Sequence, residues 1–268
     1  MGRRDHAQLN AMTTSAKVLQ VLGLFTQERK QIRAGDVVDL LGTSPATAYR
    51  YMADLEEAGL IERSGAGQYV LGPTVVELDR QIRINDPLIA AAADIMKNLS
   101  DRTGGTALLS RWHGRKVICV HQTVGRFSPQ AVSYERGRAM PLYRGATSKI
   151  ILAHLEPARL RDIVRHDAAA LRKAGLPASF EALSAALEAI RSDQVCHTAG
   201  EVDPDVMGWA APIRQGHILL GSLSVVMAKD APLAERKPIP DQVLRAALRI
   251  EGRLEQQPRH SESQGDSK

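Results

Sequence analysis

Apolar residues recur at helical spacing through the first third of the chain. Val18, Val21, Leu22 and Phe25 predict a helix that opens at Ser15, a residue type suited to capping a helix N-terminus. Val37, Leu40 and Leu41 predict a second helix over Ala34 to Leu41. Gly42-Thr43 interrupts the pattern, and Ser44-Pro45 restarts it, with Ser44 as N-cap and Pro45 in the first helical position. The third helix carries an inner stripe of Ala48, Tyr51 or Met52, Leu55 and Ala58, and Gly59 ends it. Leu60, Ile61, Tyr69, Val70 and Leu71 then bracket a Gly65-Ala66-Gly67 tip, the pattern of two short strands around a glycine turn. Helix, turn, helix and β-wing together predict a winged helix-turn-helix domain over residues 14–72. A single stripe of Val75, Leu78 and Ile82 follows. It is too narrow for a buried helix, and it suits a linker helix over 73–85 that pairs with its copy in a second subunit.

From Asp86 the periodicity changes. A helix over Pro87 to Thr103 precedes a hairpin of Ala107–Arg111 and Lys116–Gln122 around His113-Gly114. Further strands are expected at Ala131–Tyr134, Gly208–Ile213 and Ile218–Met227, with helices near Ala146–Leu155, Pro157–Arg165, Phe180–Arg191 and Asp241–Glu255. Hairpins mixed with helices predict an α+β domain built on an antiparallel sheet, here over residues 86–257. Residues 1–13 and 258–268 are polar and read as disordered tails.

Composition narrows the function without naming it. The 268 residues are 44% hydrophobic and 24% charged, with a formal charge of +5, which favours an anionic partner. Acidic and basic side chains are nevertheless equal in number over residues 1–84, so any basic face there must arise from placement. Cys119 and Cys196 are the only cysteines and stand in no metal-ligand spacing, which fits a reducing cytoplasm. Neither a secretory signal nor a membrane-spanning run is evident, so a cytoplasmic protein is expected. No cofactor is expected either.

On the third helix the outward residues are Ala46, Thr47, Tyr49, Arg50 and Ala53, near its N-terminal end. Residues so placed reach base edges when such a helix enters the major groove. Arg50 suits guanine or phosphate, Thr47 a phosphate or a thymine methyl, and Tyr49 the backbone. Arg63, beside the wing, is placed for a minor-groove or phosphate contact. Ser44, Pro45, Ala46, Thr47, Tyr49, Arg50 and Arg63 are therefore the candidate DNA-contacting set.

The segments SAKVLQVLGLF, SPATAYRYMADLEEAGLIER and QYVLGPTVVEL resemble the DNA-binding half of IclR-type transcriptional regulators. MPLYRGATSKIILAHL and MGWAAPIRQGHILLGSLSVVM are similar to segments of that family's second half, and the resemblance covers roughly residues 15–255. It implies a winged helix-turn-helix joined to a GAF-like ligand-sensing domain. It also implies dimers or dimers of dimers on partly palindromic double-stranded operators, and small organic acids, aromatic or keto, as effectors of a catabolic operon.

The small-residue run Gly145-Ala146-Thr147-Ser148-Lys149 opens a helix whose first N–H groups lack intrahelical partners and favour an anion. Ser222 and Ser224 point to one side of their strand, where a ligand would satisfy buried hydroxyls. The resemblance implies ligand contacts in the loop from Glu201 to Gly208, hence Asp203, Asp205 and Gly208. Trp112 and Tyr143 are either aromatic wall or core. Against the family pattern, Tyr143 replaces a histidine, Thr147-Ser148 replace Ala/Leu-Gly, and Cys196-His197 stand where an arginine is frequent, which makes this site more polar.

Two other classes remain open on the residues alone. A winged helix can bind protein instead of DNA. An enzyme acting on a small organic acid would draw on Ser222, Ser224, Cys119, Cys196 or a histidine, yet no nucleophile elbow, P-loop, dinucleotide fingerprint or zinc motif is present.

Overall fold

The computed structural model describes residues 12–128, 133–232, 236 and 238–256. The chain divides between Asn85 and Asp86 into two compact units. The first begins with α1 (Thr14–Leu22), α2 (Ala34–Leu41) and α3 (Pro45–Glu57), followed by strands β1 (Ile61–Arg63) and β2 (Tyr69–Leu71) and helix α4 (Pro73–Asn85). Helix α1 starts one residue before Ser15, because the Thr13 hydroxyl is the one that accepts the Ala16 N–H. Ser44 caps α3 as expected, accepting the Thr47 N–H at 3.2 Å, with Pro45 behind it. Gly42 makes the α2–α3 turn at a φ of 61°, the left-handed region that glycine enters without a Cβ penalty.

Val21, Val37, Leu41, Ala48, Tyr51, Met52, Leu55, Ile61 and Tyr69 form the core of this unit. Both Tyr51 and Met52 are buried, whereas Ala58 is exposed because α3 ends at Glu57. The wing strands pair antiparallel, Ile61 with Leu71 and Arg63 with Tyr69, and Tyr69 also bridges Ile32. Helix α4 buries no residue within the unit and exposes Val76, Leu78, Ile82 and Ile84.

The second unit opens with α5 (Pro87–Thr103) and continues with β3 (Thr106–His113), β4 (Lys116–Thr123), β5 (Ala139–Pro141), α6 (Ala146–Ala153), α7 (Pro157–Lys173) and α8 (Phe180–Asp193). Strands β6 (Cys196–Ala199), β7 (Val206–Gln215) and β8 (Ile218–Ala228) and helix α9 (Ile239–Gln256) complete it. Six strands form one antiparallel sheet in the order β5-β4-β3-β8-β7-β6. The two-residue period of a strand sorts its faces. Leu109, Trp209, Ile213, Leu223 and Val225 pack with α5 and α9 on one side. Leu108, Val117, Cys119, Ala210 and Val226 pack with α6, α7 and α8 on the other.

Several expectations are corrected. Ala131 and Val132 lie outside the described residues, and Ser133 and Tyr134, expected to end that strand, are irregular. Helix α7 runs on to Lys173 across a break at Asp167, whose φ is −121°. Strands β5 and β6 are too short, at 3 and 4 residues, to show a period in sequence. The tails expected at 1–13 and 258–268 fall almost wholly outside the described residues. No described helix is long and apolar enough to cross a membrane.

Candidate nucleic-acid interface and effector cavity

Burial of Ala48, Tyr51, Met52 and Leu55 turns the opposite face of α3 outward. Pro45, Ala46, Tyr49, Arg50 and Ala53 are exposed, and Tyr49 is 60% accessible. Thr47 is half-buried, its hydroxyl 3.0 Å from that of its cap, Ser44. The two arginines differ in availability. Arg50 lies over the Tyr51 ring at 5.7 Å, and no acidic side chain pairs with it among the described residues. Arg63 directs its Nε to both carboxylate oxygens of Glu56, at 3.0 and 3.2 Å, and lies over Tyr69. That pairing raises the Arg63 pKa through the hydrogen bond and charge of Glu56. A phosphate would have to compete with Glu56 for Arg63, whereas Arg50 has no such competitor among the described residues.

In the second unit, Gly145 adopts φ 82° and ψ 153° at the N-cap of α6. A Cβ there would meet the Tyr134 hydroxyl at 2.7 Å, so only glycine fits. The first N–H groups of α6 are engaged by side chains from β6 and the loop after it. Gly145 donates to Glu201 Oε2 at 3.0 Å, and Ala146 donates to Thr198 Oγ1 at 2.9 Å. Lys149 Nζ donates to Glu201 Oε1 at 2.6 Å. Beside them is a cavity of about 10 Å³, the room of roughly one water molecule. Its lining includes Tyr134, Thr147, Thr198, Glu201, Asp203 and Gly208.

The sequence-selected residues separate into groups. Ala146, Thr147, Asp203 and Gly208 line this cavity, and Gly145 adjoins it through Glu201. Asp203 also accepts from the Ser133 N–H at 2.8 Å and the Ser133 hydroxyl at 2.6 Å. Ser222 and Ser224 are completely buried and are not in the lining. The expectation that a ligand satisfies them is corrected, because the protein does so itself. Ser224 Oγ lies 2.9 Å from Thr147 Oγ1, and Ser222 Oγ donates to the Thr147 carbonyl at 3.2 Å. Ser148 is buried in the first turn of α6, and its hydroxyl has no partner among the described residues. Asp205 is exposed and lines a separate groove with Phe127 and Ser128. Tyr143 is not in the cavity lining and donates its hydroxyl to Asp167 at 2.5 Å. Trp112 is half-buried, packing against the core under the Arg159 guanidinium.

The two cysteines are buried. Burial pushes the thiols of Cys119 and Cys196 up to about 12, so both stay protonated at neutral pH. No group of side chains among the described residues is arranged to hold a metal ion.

Two family models match the chain. The model for the bacterial transcriptional regulator IclR C-terminal domain matches residues 83–251, and the model for the IclR helix-turn-helix domain matches residues 15–65. The chain belongs to the IclR family. Among the relatives, the HTH-type transcriptional regulator XynR of Escherichia coli is 27% identical over 199 residues, which is 74% of this chain and 78% of XynR. A regulator of Halobacterium salinarum, ArcR, is 27% identical over 261 residues, 94% of this chain and 95% of its own. The solved IclR-type protein from a Silicibacter species superimposes with a TM-score of 0.76 at 26% identity, covering 91% of this chain and 96% of that one. An IclR homologue from Microbacterium hydrocarbonoxydans, solved in complex with 4-hydroxybenzoate, shares the fold. Its TM-score is 0.73 at 21% identity, covering 91% of this chain and all (100%) of that one.

As an IclR member, the chain is a DNA-binding transcriptional regulator with a C-terminal effector-binding domain. Of the polar side chains at or beside the cavity, Tyr134 and Thr198 were not singled out in the sequence, and Lys149 and Glu201 were named only as the ends of their segments. Lys149 and Glu201 are 52 positions apart, and only the packing of α6 against β6 brings them together. One signal was available, the lone lysine closing a run of small residues, which calls for a carboxylate when it is buried.

Proposed function

We propose that this regulator reads partly palindromic double-stranded operator DNA through the outer face of α3, and that a small organic acid bound at the α6 cavity controls it. Residues 14–72 are the DNA-binding domain, 73–85 the linker helix and 86–257 the effector domain. The reading rests on the exposed α3 surface, where Arg50 has no competing carboxylate among the described residues, within a matched IclR helix-turn-helix. An arginine in that position contributes about 1–3 kcal/mol through guanine recognition.

The apolar residues exposed on α4, Leu78 and Ile82 among them, favour assembly as a homodimer or dimer of dimers, which matches the two half-sites of a palindrome. An aromatic or keto acid is the effector class, and the 4-hydroxybenzoate complex of the Microbacterium homologue supports an aromatic acid. Control of a catabolic operon in the cytoplasm follows from that class of effector. Effector and operator are coupled through the difference in effector affinity between the DNA-competent arrangement and the alternative one.

Footprinting on the DNA upstream of the regulator's own operon tests the reading. A protected, dyad-related site whose occupancy changes with aromatic or keto acids is expected. Absence of a specific footprint at moderate salt overturns it.

A further inference from the structure

We propose that Glu201 is a tethered carboxylate standing where an acidic effector binds, so that the effector enters by exchange with it and breaks the polar ties between the β6–β7 loop and α6. This rests on the reading of the α6 cavity as the effector site.

The two oxygens of Glu201 take the groups a free carboxylate would seek. Oε2 accepts the Gly145 N–H at 3.0 Å, at the positive end of α6, and Oε1 accepts Lys149 Nζ at 2.6 Å. Thr198 Oγ1 takes the next N–H, that of Ala146. The cavity that remains, about 10 Å³, is too small for any organic acid. It is also lined by Asp203, so an acid entering with Glu201 in place would bring a third carboxylate into a cavity that already holds two. Exchange removes the conflict, because one carboxylate replaces another and the hydrogen bonds to Gly145 and Lys149 are conserved.

The two partners differ in their freedom to leave. The Lys149 side chain is 15% exposed and fixed in the first turns of α6, whereas that of Glu201 is 31% exposed on a loop. The rest of this loop is held elsewhere, Asp203 by Ser133 and the Asp205 carbonyl by the Lys229 N–H. Release of Glu201 therefore removes the polar ties of the loop to α6, leaving the apolar approach of Val202 to Gly145, without unmaking the loop. A tethered competitor acts at an effective concentration in the millimolar range, so it weakens every acidic effector by a common factor. Selectivity then falls to the rest of the effector, through Tyr134, Thr147 and Gly208.

The test replaces Glu201 in the full-length protein and supplies a carboxylate from solution. Acetate is titrated against chloride at equal ionic strength while thermal unfolding is followed by tryptophan fluorescence. Glu201→Ala is expected to melt below the wild type and to regain stability with saturating acetate, at a half-effect concentration at least tenfold lower than in the wild type. Adding Lys149→Met is expected to abolish the response. Glu201→Gln keeps the length and one acceptor, and serves if the alanine variant fails to fold; it too is expected to respond more strongly than the wild type.

Equal responses of variant and wild type, or none in either, would overturn the exchange. Operator gel shifts with 4-hydroxybenzoate and pyruvate separate this from the effector reading. Acids that change operator affinity equally in wild type and Glu201→Ala keep the effector reading and remove the exchange. Acetate rescue without any acid altering operator affinity keeps the exchange and removes the effector reading.

Discussion

The hydroxyl oxygens of Thr147 and Ser224 lie 2.9 Å apart, joining the first turn of α6 to the middle of β8. Both side chains are buried, and Ser222 secures the same turn by donating to the Thr147 carbonyl. The seam is therefore structural: it fixes where the N-terminus of α6 sits over the sheet. Ser224→Ala leaves Thr147 with a buried, unpaired hydroxyl and is expected to cost about 1–3 kcal/mol. A double-mutant cycle with Thr147→Val is expected to show a coupling of about 0.5–1.5 kcal/mol. Denaturant unfolding followed by tryptophan fluorescence reads this unit alone, because Trp112 and Trp209 are the protein's two tryptophans. Additive single effects would show that the two hydroxyls do not share a bond.

Arg50 and Arg63 are expected to differ in DNA binding. Arg50→Ala should lose about 1–3 kcal/mol on cognate DNA and relax the preference at one base position. Arg63 must first give up Glu56, so Arg63→Ala should cost less, whereas Glu56→Gln should strengthen binding by releasing the guanidinium. Quantitative gel shifts of the three variants at two salt concentrations decide the matter. An Arg50 variant that binds DNA like the wild type would remove Arg50 from the contact set, and no DNA binding by the wild type itself would point to a protein partner for the winged helix.

Gly145→Ala is expected to destabilise the second unit by about 1–3 kcal/mol, the usual cost of a strained backbone conformation in a non-glycine residue. The φ of 82° with ψ of 153° is a glycine region, and the added methyl group would press on the Tyr134 hydroxyl at 2.7 Å and on Val202 at 3.0 Å. Thermal melting by tryptophan fluorescence measures it. A melting temperature within a degree of the wild type would show that the α6 N-terminus adjusts freely.

Stability should fall as pH drops below about 6.5, and His154 should carry part of that slope. Its Nδ1–H donates to the Ile150 carbonyl at 2.8 Å, and its Nε2 is buried without a partner among the described residues. Burial pulls its pKa down, the Ile150 bond opposes this, and Arg214 and Arg191 add to the lowering. The folded state therefore keeps His154 neutral while the unfolded chain takes the proton, so the stabilisation is full above about pH 6.5 and is lost as pH falls. His121 and His197 shift the same way through burial. Glu251, raised by burial, works in the opposite sense, so the decisive quantity is the difference between wild type and His154→Gln. Melting at pH 8.0, 6.5 and 5.5 should show a shallower slope in the variant. Parallel slopes would remove His154 from this account.

Local chemistry made most elements of the first unit legible. Ser44, Pro45, Gly42 and the Gly65-Ala66-Gly67 tip act within a few residues of themselves, and caps, turns and an amphipathic stripe need no distant partner to be read. The long elements of the second unit were legible for the same reason, since β7 and β8 run to 10 and 11 residues and show their period. Strands β5 and β6 were not, because a segment of 3 or 4 residues becomes a strand only when a neighbouring strand offers it hydrogen bonds. The composition of the cavity was beyond the sequence as well. Glycine and small residues at 145–148 announced a helix start open to an anion, but which carboxylate meets it depends on strand order, which sets β6 and Glu201 beside α6. The same packing gave the hydroxyls of Ser222 and Ser224 to Thr147. A residue's side of a strand follows from its own sequence, whereas the group facing it across the layer is settled only when distant segments pack.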